Sequence, residues 1–299
     1  MKRLDANPLL TPADLAPTRD DFEVLCTLNP GAIRASGQVL LLVRVAERPV
    51  QEAGYISTIV YAAQAGLARV VRFRRDDPDL DSSDPRVLLY KGKAVLTSLS
   101  HIRVARSTDG TDFVFDSQPL VYPSEAYEAY GCEDARIAWI DGRFYINYSA
   151  VSDVGVATAL AVSDDLLTVR KLGIVFPTHN KDMCLFPRKI RGAYACRHRP
   201  HGTVFNASNM WTAYSPDLVH WGEHALTMQP IPGTWQGERV GCGGTPIHTP
   251  EGWLEIYHAA DERGRYCLGA MLSDLERPEK VLHRSTRPVL QPEADYETA

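Results

Sequence analysis

Three stretches of the 299-residue chain gather residues whose types and spacing suit chemistry. The first is GCEDARI, residues 131–137, where two adjacent carboxylates, Glu133 and Asp134, open an apolar strand pattern. Successive strand residues face opposite sides, so one of the two is expected on the inner face. A buried carboxyl whose pKa is raised by desolvation protonates a departing oxygen. The plainer expectation is that Glu133 and Asp134 only neutralise Arg136 and Arg143. The second stretch is HNKDMCLFPRKIRGAYACRHRP, residues 179–200. Lys181 and Asp182 open it, and Arg197, His198 and Arg199 end a strand. Cations collected there make an oxyanion pocket, most naturally for phosphate; the alternative is a charged exposed edge. His198 and His201 lack further ligands at zinc spacing, so no metal is expected. The third stretch runs from Trp235 through GCGG (residues 241–244) to Asp261. Its glycines open no helix, which excludes a nucleotide loop and points to close backbone approach. Arg239, Tyr257, His258 and Asp261 are expected to line a site, against ordinary strand packing or surface charge for each. No nucleophile elbow is present.

Residues so far apart must be brought together by the fold, and the sequence repeats itself. Turns at Gly37, Gly92, Gly142, Gly192 and Gly252 each precede a strand-like run, at intervals of 55, 50, 50 and 60 residues. A second marker, an Asp in a turn after an apolar run, recurs at Asp109, Asp165, Asp217 and Asp274. The segment 117–131 also resembles 286–299. A period near 55 residues is that of four-stranded propeller blades, whereas sandwich turns come every 8–12 residues without a longer period. The expected class is all-β, a propeller whose inner strands present polar residues to one central funnel. Residues 1–20 read as a lead-in and 21–299 as one domain. The polar, Pro-broken stretch 74–85 reads as a surface loop, and most of the dispersed aromatic residues as inter-blade core.

Composition narrows the function classes. A formal charge of −5 offers no basic field for a nucleic acid. No apolar run approaches the roughly 20 residues of a membrane span. The start reads as a polar lead-in, not a signal peptide. Six scattered cysteines read as reduced thiols of a cytoplasmic protein.

Taken in order, NPGAI, LLLVRVAERP, SHIRVARSTDG, YGCEDARI, NYSAVS, HNKDMCLFP, HRP, WGEH and GWLEIYHAAD resemble glycoside hydrolase family 130. That family comprises five-bladed propellers, β-mannoside phosphorylases and related β-1,2-mannosidases. The resemblance spans essentially the whole chain. RVAERP with QEAGYIST is most similar to members acting on β-1,2-linked mannooligosaccharides. The resemblance implies Asp134 as general acid, with inorganic phosphate attacking the anomeric carbon from the opposite face to give α-mannose 1-phosphate. It places phosphate on Arg48, Lys181, Arg199, Arg239 and His258. It places mannose hydroxyls on Asn29, Asp182 and Asp261, with Arg44 and Tyr257 beside the substrate. No cofactor beyond the phosphate co-substrate is implied, and a homo-oligomer is left open. The chain departs from the family pattern at Ala135 and Thr245, where prolines are usual. The resemblance also implies closing strands beyond Ala299. Two alternatives stand beside phosphorolysis. One is an inverting β-mannosidase using water, with Glu238 or Asp261 as base about 6.5–9.5 Å from the acid. The other is a non-catalytic glycan-binding propeller.

Overall fold

The structure is a computed structural model that describes residues 3–204 and 207–298. Strands β1 (Phe22–Ala35) and β2 (Gln38–Pro49) form a hairpin whose turn places Ser36 and Gly37 at positive φ. The chain then leaves the sheet. It makes a separate hairpin, β3 (Tyr55–Ala62) and β4 (Leu67–Arg74). A meander follows, β5 (Leu80–Asp84), β6 (Val87–Tyr90) and β7 (Lys93–Leu96). It returns as β8 (Leu99–Ser107), which pairs with β2, and β9 (Val114–Phe115), which pairs with β8. The Gly92 turn therefore joins two strands of an excursion and marks no blade. Part of the stretch expected as a loop, Leu80–Asp84, is a strand of the same excursion.

The second blade is β10 (Gly131–Ile140), β11 (Arg143–Ser152), β12 (Gly155–Ser163) and β13 (Arg170–Phe176). The third is β14 (Asn180–Leu185), β15 (Tyr194–Pro200), β16 (Met210–Ser215) and β17 (Gly222–Met228). The fourth is β18 (Arg239–Cys242) with β19 (Ile247–Thr249), β20 (Gly252–Ala260), β21 (Tyr266–Ser273) and β22 (Val281–Arg284). Gly142, Gly192 and Gly252 stand at the turns into β11, β15 and β20. The Asp marker has one physical cause in all four blades. After each third strand, Asp109, Asp165, Asp217 and Asp274 accept the backbone N–H groups two and three residues ahead, which fixes the turn.

The first strands of the blades meet around the axis, β1 against β10, β10 against β14, and β14 against β18. Apolar clusters fill the gaps between blades. Leu42, Ile102 and Val104 meet Ile137, Ile146 and Tyr148, and Leu160 and Phe176 meet Met183 and Leu185. Each such side chain contributes about 1.5–3 kcal/mol on burial. A buried ion pair joins the third and fourth blades: Arg197 donates to Glu255 at 2.8 and 2.6 Å.

The 117–131 and 286–299 echo is structural as well. Val121 bridges to Ile102 and Leu290 to Leu268, each crossing a third strand. Glu128 accepts from the N–H groups of Ser124 and Glu125 and pairs with Lys171. Glu297 accepts from those of Glu293 and Ala294 and pairs with Arg3. The all-β propeller read from the repeats is thus what the chain forms. Four blades are described, the C-terminal segment repeats the lead-in to the second, and no sheet among the described residues closes on itself. No helix among them is long and apolar enough to cross a membrane.

Candidate active site

Three of the four inner strands carry the same device at the funnel. β1, β10 and β14 each skip register, and Asn29 (φ 43°), Asp134 (φ 50°) and Asp182 (φ 53°) occupy the bulges. Asn and Asp tolerate the left-handed region better than other side-chain-bearing residues, and a bulge re-aims the side chain it carries. Alternation fails here, so Glu133 and Asp134 share one face against the expectation that only one would.

Arg44 on β2 holds both acids. Its Nη2 donates to Glu133 Oε1 at 2.7 Å, Nη1 to Asp134 Oδ1 at 3.2 Å, and Nε to Ser100 Oγ at 3.0 Å. Asn29 Nδ2 donates to the same Asp134 oxygen at 2.8 Å. The two carboxylate side chains are each 12% exposed. Their environments push their pKa values apart. Burial is the largest influence on both and favours the protonated form. It prevails at Glu133, which is raised, while at Asp134 it is outweighed by Arg44, the Asn29 hydrogen bond, Lys181 and Arg136, so Asp134 is lowered. Arg143 pairs with Asp164 instead, and Arg136 donates to backbone carbonyls, so neither makes the direct ion pair with the acids that the plainer reading supposed.

Across the funnel, Asp182 Oδ2 accepts from Arg199 Nε at 2.6 Å and from His258 Nε2 at 3.0 Å. Burial opposes its ionisation most strongly, but His258, Arg199 and Lys181 together hold it well below the usual carboxylate range. Gly241 makes the contact feasible. A Cβ there would lie 2.5 Å from Asp182 Oδ2 and 2.6 Å from His258 Nε2. Lys181 pairs in register with Arg199, and its field reaches Glu133, Asp134 and Asp182. Arg239 contacts Glu238 through Nη2 and donates to Tyr266 Oη at 3.2 Å. Tyr266 lies beside His258, with ring centroids 5.9 Å apart. Three buried guanidinium nitrogens around this pocket have no partner among the described residues: Arg199 Nη1, Arg239 Nε and Arg136 Nε. Orphaned buried donors are rare, and the two on Arg199 and Arg239 suit an anion, whereas Arg136 already bonds the bulge carbonyls.

The structure thus brings together Asn29, Arg44, Asp134, Lys181, Asp182, Arg199, Arg239 and His258. It sets three others apart. Arg48 pairs with Glu23 at 2.6 Å, away from the cationic pocket, while its strand neighbour Arg44 turns to the two acids. Tyr257 is 0% exposed, stacked on Trp235, with its hydroxyl donating to Gln236, because it faces away from His258 on the same strand. Asp261 Oδ1 accepts the N–H groups of Arg263 and Arg265 and fixes its own loop. Arg197 turns to Glu255 rather than to the anion pocket. His198 and His201 part company, His198 against Asn180 and His224, His201 against His179. Sequence reasoning missed Ser100, Tyr266 and the part played by Arg136. Only Arg136, two residues from the acid, carried a visible signal.

A propeller with paired carboxylates on one side of its funnel and a cationic pocket on the other suits glycoside cleavage, and the relatives of this chain are enzymes of that class. A family model described as beta-1,4-mannooligosaccharide phosphorylase matches residues 83–299. A beta-1,2-mannobiose phosphorylase of Listeria innocua is 44% identical over 99% of this chain and 84% of its own length. Its solved complex with beta-1,2-mannobiose matches with a TM-score of 0.92, covering 98% of this chain and 85% of that one. A 1,2-beta-oligomannan phosphorylase of Thermoanaerobacter is 41% identical over 67% of this chain and 66% of its own length. The chain belongs to glycoside hydrolase family 130.

Proposed function

We propose that this protein cleaves β-1,2-linked mannobiose and short β-1,2-mannooligosaccharides with inorganic phosphate, releasing α-mannose 1-phosphate with inversion. Asp134 acts as general acid and gives its proton to the departing glycosidic oxygen, directly or through a sugar hydroxyl. Asn29 and Arg44 orient it. Phosphate sits on Lys181, Arg199, Arg239 and His258 and attacks the anomeric carbon from the face opposite the leaving group. Phosphate arrives as a nucleophile, so no protein base is needed. The observation that carries this reading is the set of unpartnered buried guanidinium donors at Arg199 and Arg239. A phosphate dianion matches them, because its oxygens accept charge-assisted hydrogen bonds from both guanidinium groups at once. The names of the similar relatives support the β-1,2 linkage and the phosphate. The bases a hydrolase would use are otherwise engaged, Glu238 with Arg239 and Asp261 with its loop. All six cysteines are free thiols, which supports a reducing cytoplasmic setting.

The test is incubation with β-1,2-mannobiose with and without phosphate, followed by product analysis. Phosphate-dependent mannose 1-phosphate is expected. Free mannose formed at the same rate without phosphate would contradict the proposal, and binding without turnover would make the protein a glycan-binding propeller.

A further inference from the structure

The bulge that aims Asp134 is held in an unusual way. A bulge leaves one residue of the strand unpaired, so its backbone needs other support. Here the register skips from Glu133 to Arg136, and the Arg136 guanidinium folds back on the skipped residues. Its Nη1 donates to the carbonyl oxygens of Asp134 at 3.2 Å and Ala135 at 3.0 Å. The bulge is confined from the other side by blade one. A Cβ on Gly31 would lie 2.6 Å from the Ala135 oxygen and 3.2 Å from Arg136 Cα. The sister bulge on β14 is supported differently, since the Asp182 carbonyl accepts from the neutral Cys242 thiol of the next blade. Asp134 therefore takes its backbone support from a cation of its own strand, a cation that also faces Asp182, Cys184 and Cys242.

We propose that Arg136 is a positioning residue for the acid: by bonding the carbonyls of Asp134 and Ala135 it sets the backbone bulge that aims Asp134 at the glycosidic oxygen. The inference rests on the reading of Asp134 as the acid. Ala135, where the family pattern has proline, fits this account. A proline fixes its own φ, and the side-chain clamp matters more where that restraint is missing.

Arg136→Lys keeps the charge but not the planar group that spans two carbonyls. A misplacement near 1 Å is worth about 100-fold in rate, so kcat should fall by about that factor. KM for mannobiose and for phosphate should stay within about twofold, as for a group acting only in the transition state. The alkaline limb of the pH–rate profile should not move in Arg136→Lys. It should move to higher pH in Arg136→Met, because a cation that favours ionised Asp134 is lost. Gly31→Ala pushes the same bulge from blade one and should give the same kcat-only loss, which decides the matter if the Arg136 variants do not fold. Wild-type kcat in Arg136→Lys or in Gly31→Ala would overturn the proposal, as would a kcat loss matched by an equal rise in KM. Asp134→Asn separates the two levels. If it stays active, the reading of the acid fails. If it is inactive while Arg136→Lys is wild type, only the role of Arg136 fails.

Discussion

Asp134 and Asp182 are built alike and held differently. Both sit in a positive-φ bulge of an inner strand, and both are buried beside an arginine. Asp182 is locked. Arg199 and His258 share one of its oxygens, and its proton is driven off far below the ordinary range. Asp134 meets Arg44 at 3.2 Å, and Arg44 divides itself among Asp134, Glu133 and Ser100. The first arrangement fixes the positions of two cations and holds no proton to give at neutral pH. The second leaves a carboxyl whose proton occupancy responds to what enters the funnel. On the proposed function, phosphate bound at Lys181 would offset the field that helps hold Asp134 ionised, and so favour its acid form. The same bulge therefore serves two tasks, and the partners on the neighbouring strands decide which.

The largest effect that would break this comparison is on turnover. Asp134→Asn should lower kcat on mannobiose by about 10²–10⁴-fold, the usual worth of a general acid, while phosphate binding measured by calorimetry persists. Asp182→Asn should do the reverse. It should weaken phosphate binding and destabilise the fold by about 3–5 kcal/mol, since a buried Arg199 loses its partner. Glu255→Gln on β20 removes the partner of Arg197, which lies two residues along β15 from Arg199, and should destabilise comparably without touching phosphate affinity.

A pH series sharpens the second of these. The folded pKa of Asp182 lies well below the ordinary 3.8, so its stabilisation is complete above that value and is lost as pH falls through the lower folded pKa. The stability gap between wild type and Asp182→Asn, read from urea unfolding, should therefore hold from neutral pH to about 4 and narrow below it. A gap that widens on acidification would invert the assignment. The smallest expected effect is at Tyr257. Tyr257→Phe removes a buried hydrogen bond to Gln236 and should cost about 1 kcal/mol, with KM for mannobiose unchanged.

What the sequence revealed follows the same division. The turns were legible because their chemistry is local. An Asp accepting from N–H groups two and three residues ahead announces itself without reference to the fold, and so the period and the propeller emerged. The Gly92 turn misled because its local chemistry is equally good, though it belongs to an excursion between β2 and β8. The adjacent carboxylates Glu133 and Asp134 were legible as a motif. The side-chain directions were not, since a period of two fails at a bulge. That hid the shared face of Glu133 and Asp134. Register hid the rest. Arg44 and Arg48 lie on one strand, and only pairing with β1 and β8 shows that Arg48 meets Glu23 while Arg44 reaches Ser100 and the acids.

The most direct measurement uses a substrate that needs no acid. Dinitrophenyl β-mannoside carries a leaving group that departs without protonation. With phosphate present, Asp134→Asn should turn it over at near the wild-type rate although it is inactive on mannobiose, while Asp182→Asn should be impaired on both. Equal impairment of Asp134→Asn on the two substrates would show that Asp134 is not the proton donor.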